Sequence, residues 1–211
     1  MESLDINWTD KHTTHSYIDV YEGLFSRIRS SCKNIMEIGV QTGGSIKLWN
    51  DYFPNAIVYG LDVDIYQNRC RELSPRIRFI QADAYTHECA ATFDTDVFDV
   101  IIDDGPHTLD SMCKVVDLYY RTVKPGGYLI IEDVQDMSWV PIIKEHVAVN
   151  ASWSVFDRRV IKNRYDDVMI VIQKPTNPNQ RSSSLPVSVV VYHFYDAPTP
   201  HSRTVVILPN A

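Results

Sequence analysis

From residue 34 the chain alternates short apolar runs, rich in β-branched residues, with stretches whose apolar residues recur at three- and four-residue spacing. The first kind predicts strands at 34–40, 56–63, 76–82, 97–103, 127–133, 153–158 and 167–174, and the second predicts helices at 45–53, 67–73, 109–123 and 138–146. Strands alternating with helices imply βαβ units, so the expected fold is α/β. It is a Rossmann-like, seven-stranded, mostly parallel sheet with helices on both faces. Runs such as Ile35-Met36-Glu37-Ile38 and Ile101-Ile102-Asp103-Asp104 are almost wholly apolar until they meet an acid. Central strands buried on both faces look like this where they surface at a carboxyl edge, the edge at which open α/β sheets bind ligands.

Ahead of the first strand, 16–32 predicts an amphipathic helix with Ile18, Tyr21, Leu24, Phe25 and Ile28 on one stripe. Lys124-Pro125-Gly126-Gly127 predicts a type II turn that reverses the chain into the fifth strand. Past Lys174 the pattern changes to a polar, Pro- and Ser-rich connector, 175–186. Two β-prone runs follow, 187–195 and 204–208, which fit a hairpin that extends the sheet or reaches a second copy of the chain in a homo-oligomer. Three regions result: a covering segment over 1–33, a catalytic domain over 34–174 and a tail over 175–211.

The first predicted strand ends Glu37-Ile38-Gly39-Val40-Gln41-Thr42-Gly43-Gly44-Ser45 and then enters a helix. Glycines here permit a sharp turn and a close backbone approach to a ligand, a device dinucleotide folds share. The spacing, however, is not that of the dinucleotide fingerprint, and Glu37 would repel a pyrophosphate. S-adenosylmethionine carries an ammonium and a sulfonium and suits acidic walls. Gly39, Gly43, Ser45 and Glu37 are therefore expected to hold that cofactor. Asp62, 23 residues after Gly39, is the expected ribose ligand, Asp83 is expected beside the adenine, and Asp103 in the same crevice. Any one of these acids alone reads better as a solvated strand end or helix cap; it is the set, in order at successive strand ends, that carries the cofactor reading.

A second acidic group closes the crevice: Asp103-Asp104-Gly105-Pro106-His107 ends one strand and Glu132-Asp133 the next. Clustered carboxylates raise one another's pKa unless a cation neutralises them. All-oxygen ligands favour Mg²⁺ or Mn²⁺, which makes Asp104, Glu132 and Asp133 the candidate metal ligands. His107 is the candidate general base, because an imidazole accepts a hydroxyl proton that a nearby dication has made more acidic. The alternatives are that His107 caps the helix after it and that Glu132 and Asp133 bind Lys or Arg side chains.

These motifs resemble the macrocin and mycinamicin O-methyltransferases, metal-dependent class I enzymes acting on sugars of macrolide antibiotics, and the related rhamnosyl and cephalosporin-hydroxylase-like proteins. The likeness runs over residues 9–174 and rests on the Asp-Asp-Gly-x-His and Glu-Asp pairs. It implies that Asp104, Glu132 and Asp133 bind Mg²⁺, that His107 is the base, and that Glu37, Gly39 and Asp62 contact S-adenosylmethionine. Thr9-Asp10-Lys11, His15-Ser16-Tyr17 and Tyr21 resemble a segment that folds over the active site in that family, which implies Lys11, His15 and Tyr17 as contacts to a glycosyl substrate. His12 stands where that family has glycine, and the large amino-terminal auxiliary domain of the mycinamicin enzyme has no counterpart in these residues.

Composition narrows the field further. A net charge of −7 disfavours a nucleic-acid partner, and the Asp-Pro-Pro-aromatic signature of base methylation is missing after the fourth strand. Cys32, Cys70, Cys89 and Cys113 are too scattered for a disulfide framework or zinc site. The opening residues carry charge where a secretory signal needs an apolar core, and no apolar run approaches the ~20 residues of a membrane helix, so a cytoplasmic location without a membrane partner is expected. Catechol-type O-methylation, a cofactor-sensing role without catalysis, and dehydrogenation are the competing functions, the last disfavoured by the loop.

Overall fold

The computed structural model describes residues 1, 4–65 and 74–177 and the backbone of 188–189 and 206–207; the predicted helix over 67–73 and Cys70 lie outside the described residues. Seven strands form one sheet: β1 (Asn34–Ile38), β2 (Ile57–Asp62), β3 (Ile77–Gln81), β4 (Phe98–Asp103), β5 (Val123–Ile131), β6 (Ser152–Asp157) and β7 (Val168–Gln173), in the order β3-β2-β1-β4-β5-β7-β6. The first five in that order are parallel, while β7 runs antiparallel to both β5 and β6. The Rossmann-like, seven-stranded, mostly parallel sheet expected from the alternation is therefore present. The chain moves outward from β1 through β2 to β3, then returns to place β4 on the other side of β1. That reversal opens a crevice between the carboxyl ends of β1 and β4.

Alternation along the central strands divides the core between the two faces. Met36, Ile38, Ile101, Leu129 and Ile131 meet Met112, Val115 and Tyr119 of helix α5 (Leu109–Tyr119) and Ile143 of α6 (Trp139–Glu145). Ile35, Val100, Ile102 and Ile130 face the opposite way, onto Tyr21 and Phe25 of α2 (Ile18–Phe25) and Ile46 and Trp49 of α3 (Gly44–Tyr52). The short helices α1 (Asp10–Thr13), α4 (His87–Ala90) and α7 (Arg159–Lys162) complete the order. Trp49 is fully buried and lies within 4.9–6.5 Å of the rings of Tyr21, Phe25 and Phe53. Trp49→Ala is expected to cost about 3–5 kcal/mol through the cavity it leaves, read as a lower urea midpoint with an unchanged m-value.

Several boundaries differ from the sequence reading, each for a local reason. The first helix spans eight residues, not the range 16–32, because the chain after Phe25 turns and Ser31 Oγ donates to the Ile28 carbonyl in competition with helix. β1 stops at Ile38 because Gly39 has φ +85°. Lys124-Pro125-Gly126-Gly127 does not reverse the chain. Val123 already pairs in parallel with Phe98, and the four residues form an irregularity within β5 that shifts its register before Tyr128 meets Val100. Gly126, at φ +83°, accommodates the extra length while its N–H donates to the Lys174 carbonyl. In the tail, Ser188–Val189 pairs antiparallel with Val206–Ile207. Among the described residues no helix is long and apolar enough to cross a membrane.

Candidate active site

At the carboxyl edge lies a cavity of about 800 Å³, floored by the glycine loop and walled by Asp62, Asp83, Asp104 and His107. Gly39 turns the chain out of β1 so closely against β4 that a Cβ there would sit 2.0 Å from the Asp104 carbonyl oxygen. Gly44 admits the Trp8 carbonyl just as tightly, which lets the amino-terminal segment cross the loop and line the cavity with Trp8, Thr9 and Asp10. Gly39→Ala therefore combines a left-handed backbone with a backbone clash. It is expected to lose at least ~2 kcal/mol of stability together with cofactor affinity, checked by urea titration and calorimetry.

Asp62 fixes the loop: Oδ2 accepts from the N–H groups of Val40 (2.7 Å) and Gln41 (3.2 Å), and Oδ1 from that of Asp64 (3.0 Å). Asp83 also faces the cavity and accepts from the Tyr85 N–H at 2.9 Å. The charge of the lining is lopsided, with seven aspartates against the single lysine, Lys114. Such a wall attracts a cationic ligand and repels a pyrophosphate.

Two acids expected in the crevice lie beneath it. Glu37 is fully buried, accepts from Ser45 Oγ at 2.7 Å and pairs with Lys11 at 3.0 Å, so it does not wall the cavity. Burial raises its pKa while Lys11 opposes the rise. Asp103 is also buried, 2.5 Å from the donating Tyr85 hydroxyl, and its carboxyl is pushed up to about 7 by burial, against the pull of that hydrogen bond. Neither lines the cavity, because strand side chains alternate: Glu37 points to the face packed by α2 and α3, where it meets Ser45 and Lys11, and Asp103 to the opposite face, where it meets Tyr85. Gly43, at φ +86°, caps α3, and Ser45 lines the cavity.

The second acidic group does assemble, in a form the sequence did not disclose. Lys11, only 1 % exposed, sets its ammonium 2.7 Å from Asp104 Oδ2, 2.5 Å from Glu132 Oε2 and 3.0 Å from Glu37 Oε1. Burial disfavours the ammonium, but Asp104, Glu132 and Glu37 outweigh it and hold its pKa above the ordinary lysine value. Glu132 Oε1 accepts from the Tyr21 hydroxyl, so both its oxygens are engaged away from the cavity, and burial raises its pKa. The expectation that Lys11 reaches the acceptor is thereby corrected, because its head group is spent on the cage. Glu132 meets Asp104 only at the Lys11 ammonium and does not join the Asp104, His107 and Asp133 group at the cavity wall. The Lys-binding alternative holds for it.

Asp104 Oδ1 and Asp133 Oδ2 lie 3.7 and 3.8 Å from His107 Nε2, and ligand atoms of the three residues fall within 4.8 Å of one another at the cavity wall. The Asp133 carboxyl is pushed up to about 6, chiefly by burial and next by Asp104. Its Oδ1 accepts from the Tyr17 hydroxyl at 2.8 Å and lies 3.2 Å from His15 Nδ1. Thr108, not His107, caps α5 through a capping box with Ser111, so the capping alternative fails. His107 (φ +53°) and Asp133 (φ +55°) are both left-handed, a conformation that His and Asp adopt more readily than most residues and that Gln41, Asp96 and Asn163 share. His15, Asp133 and Asp166 form a second, buried trio, but Arg164 already binds Asp166 at 2.8 Å.

His15 and Tyr17 stack with ring centroids 5.1 Å apart and face Asp133, not the open cavity. Their segment is anchored by Ser16, which donates to Asp167, and by Arg158, which binds the Ser16 carbonyl and Asp19. Sequence reading passed over Arg158, Asp167 and the hydroxyl of Tyr21. Tyr21 carried a detectable sign, since a phenol on an apolar stripe requires a polar partner in the core.

The sheet order, the glycine loop and the acidic crevice are together those of a Rossmann-like ligand-binding fold, and residues 36–131 match the family model described as a methyltransferase domain. The chain is similar to the 8-demethyl-8-alpha-L-rhamnosyl tetracenomycin-C 2'-O-methyltransferase of Streptomyces olivaceus, 30% identical over 142 residues covering 62% of this chain and 36% of that protein. It is also similar to the mycinamicin VI 2''-O-methyltransferase of Micromonospora griseorubida, 27% identical over 86% of this chain and 46% of the relative. Among solved structures it resembles the MycE methyltransferase of the mycinamycin pathway in complex with Mg, SAH and mycinamycin VI, at a TM-score of 0.51 and 29% identity over 61% of this chain and 35% of that one. The chain spans less than half the length of these relatives.

Proposed function

We propose that the domain transfers a methyl group from S-adenosylmethionine to a hydroxyl of a glycosylated small molecule, assisted by a divalent cation such as Mg²⁺, with His107 as general base. The observation carrying this reading is His107 Nε2 at the cavity wall, 3.7 and 3.8 Å from single oxygens of Asp104 and Asp133. The relatives named above are sugar O-methyltransferases, and the solved neighbour holds Mg and SAH, which supports the same assignment.

The residues fit both groups. The acidic lining and glycine loop suit a cationic nucleoside, with Asp62, Asp83 and the loop N–H groups as its contacts. Asp104 and Asp133 suit a hard dication, since their free oxygens face the same side and their crowding raises the Asp133 pKa. A bound dication would make the acceptor hydroxyl more acidic and hold its oxygen. His107 takes the hydroxyl proton at Nε2 as the oxygen attacks the methyl carbon, and the sulfur–methyl bond breaks with its electron pair returning to sulfur to leave S-adenosylhomocysteine. Tyr17 and His15 fix the Asp133 carboxylate from behind, and Trp8 and Thr9 line the cavity.

The test is methyl transfer from labelled S-adenosylmethionine to rhamnosyl or related deoxysugar glycosides, with a catechol as comparison. Transfer to the glycoside supports the reading, whereas transfer to the catechol alone contradicts it.

A further inference from the structure

The Lys11 ammonium occupies the centre of a cage of three carboxylates, the buried Glu37 and Glu132 and the partly exposed Asp104, at 2.5–3.0 Å from each. One positive charge against three negative ones leaves two uncompensated if all are ionised, and Lys11, Glu37 and Glu132 are almost wholly shielded from water while Asp104 borders the cavity. The cage therefore still attracts cations, but less than it would without Lys11. Asp104 is the hinge of the argument: Oδ2 is held by Lys11 while Oδ1 faces His107 and the cavity. Its charge is thus shared between a fixed ammonium on one side and whatever cation the cavity admits on the other. Glu132 is withheld altogether by Lys11 and Tyr21.

We infer that Lys11 is a built-in counter-ion that competes with the divalent cation for the carboxylates of the site and sets its affinity low. Lys11 is a positioning residue here, because it acts through the carboxylates it binds. The inference rests on the metal reading proposed above. Its physical basis is general: removing a positive charge a few ångströms from a dication site strengthens dication binding, and the effect is large where solvent screening is weak. The arrangement also links the amino-terminal segment to the metal. Lys11, His15 and Tyr17 attach residues 9–17 to Asp104, Glu132 and Asp133, so the segment covering the cavity and the cation draw on the same acids.

The experiment titrates Mn²⁺ into the full chain and follows free ion by electron paramagnetic resonance, without substrate. Lys11→Met is expected to bind Mn²⁺ at least tenfold more tightly than the wild type, and Lys11→Arg, which keeps the charge, to stay within threefold. Mn²⁺ is also expected to raise the Tm of the methionine variant more than that of the wild type, and to restore a cooperative melt if the variant does not fold alone. Lys11→Gln, which keeps a donor for Glu132 without the charge, carries the same expectation. Equal or weaker Mn²⁺ binding in the neutral variants, with the wild type binding normally, overturns the role given to Lys11 while leaving the metal site intact. An absence of Mn²⁺ binding in every protein overturns the metal reading itself.

Discussion

Replacing His107 with asparagine is expected to lower methyl transfer by about 10²–10⁴-fold while S-adenosylhomocysteine binds within a few-fold of wild-type affinity. Asparagine is the better first substitution. His107 sits at φ +53°, where asparagine is tolerated and alanine adds backbone strain, so the loss can be ascribed to the missing imidazole. His107→Ala is expected to show the same catalytic loss with a modest additional loss of stability. The measurement pairs initial rates with calorimetric titration of S-adenosylhomocysteine. Unchanged turnover in both variants removes the imidazole from the chemistry.

Chelation is expected to have the second large effect. Treatment with EDTA should reduce transfer by at least ~10²-fold, because an alcohol hydroxyl unaided is far too weak an acid for an imidazole to deprotonate, and a divalent ion shifts its pKa by several units. Mg²⁺ restores the rate in the wild type. In Asp133→Asn the same addition should restore only a small fraction, since Asp133 Oδ2 is one of two carboxylate oxygens turned toward His107. Asp133→Asn keeps an acceptor for the Tyr17 hydroxyl, so the covering segment has reason to stay in place. Full activity in chelator contradicts the role given to the ion.

Much of this arrangement was legible in the residues because it follows from periodicity. Apolar runs ending in acids located β1, β4 and the end of β5, and the parallel order then brought Asp104, His107 and Asp133 to one edge. The glycine loop was recognisable because only glycine fits where a Cβ would lie 2.0 Å from the Asp104 carbonyl. What pattern could not supply was direction. Glu37 and Asp103 stand one residue from visible positions, and a period of two sends their carboxyls to opposite packed faces of the sheet, away from the cavity.

The other shortfall concerns pairing over long separations. Lys11 and Glu132 are 121 residues apart, and nothing local to Thr9-Asp10-Lys11 says that its ammonium is the partner of buried acids instead of a contact for the acceptor. The left-handed conformations of His107 and Asp133 were invisible for the same reason, since tertiary contacts select them from those that His and Asp can adopt. Lys124-Pro125-Gly126-Gly127 misled in the opposite sense. Its composition is that of a turn, and the hydrogen bonds offered by Phe98 and Lys174 made it part of a strand.

The most direct test is a crystal structure of the protein grown with S-adenosylhomocysteine and Mg²⁺. Catalysis as described requires the ion within ~2.0–2.4 Å of an oxygen from each of Asp104 and Asp133, with His107 Nε2 turned toward the place an acceptor hydroxyl would take beside the sulfur. Nucleoside density in the cavity with no ion beside it, and Asp104 and Asp133 closed onto Lys11 and His15 instead, would contradict it.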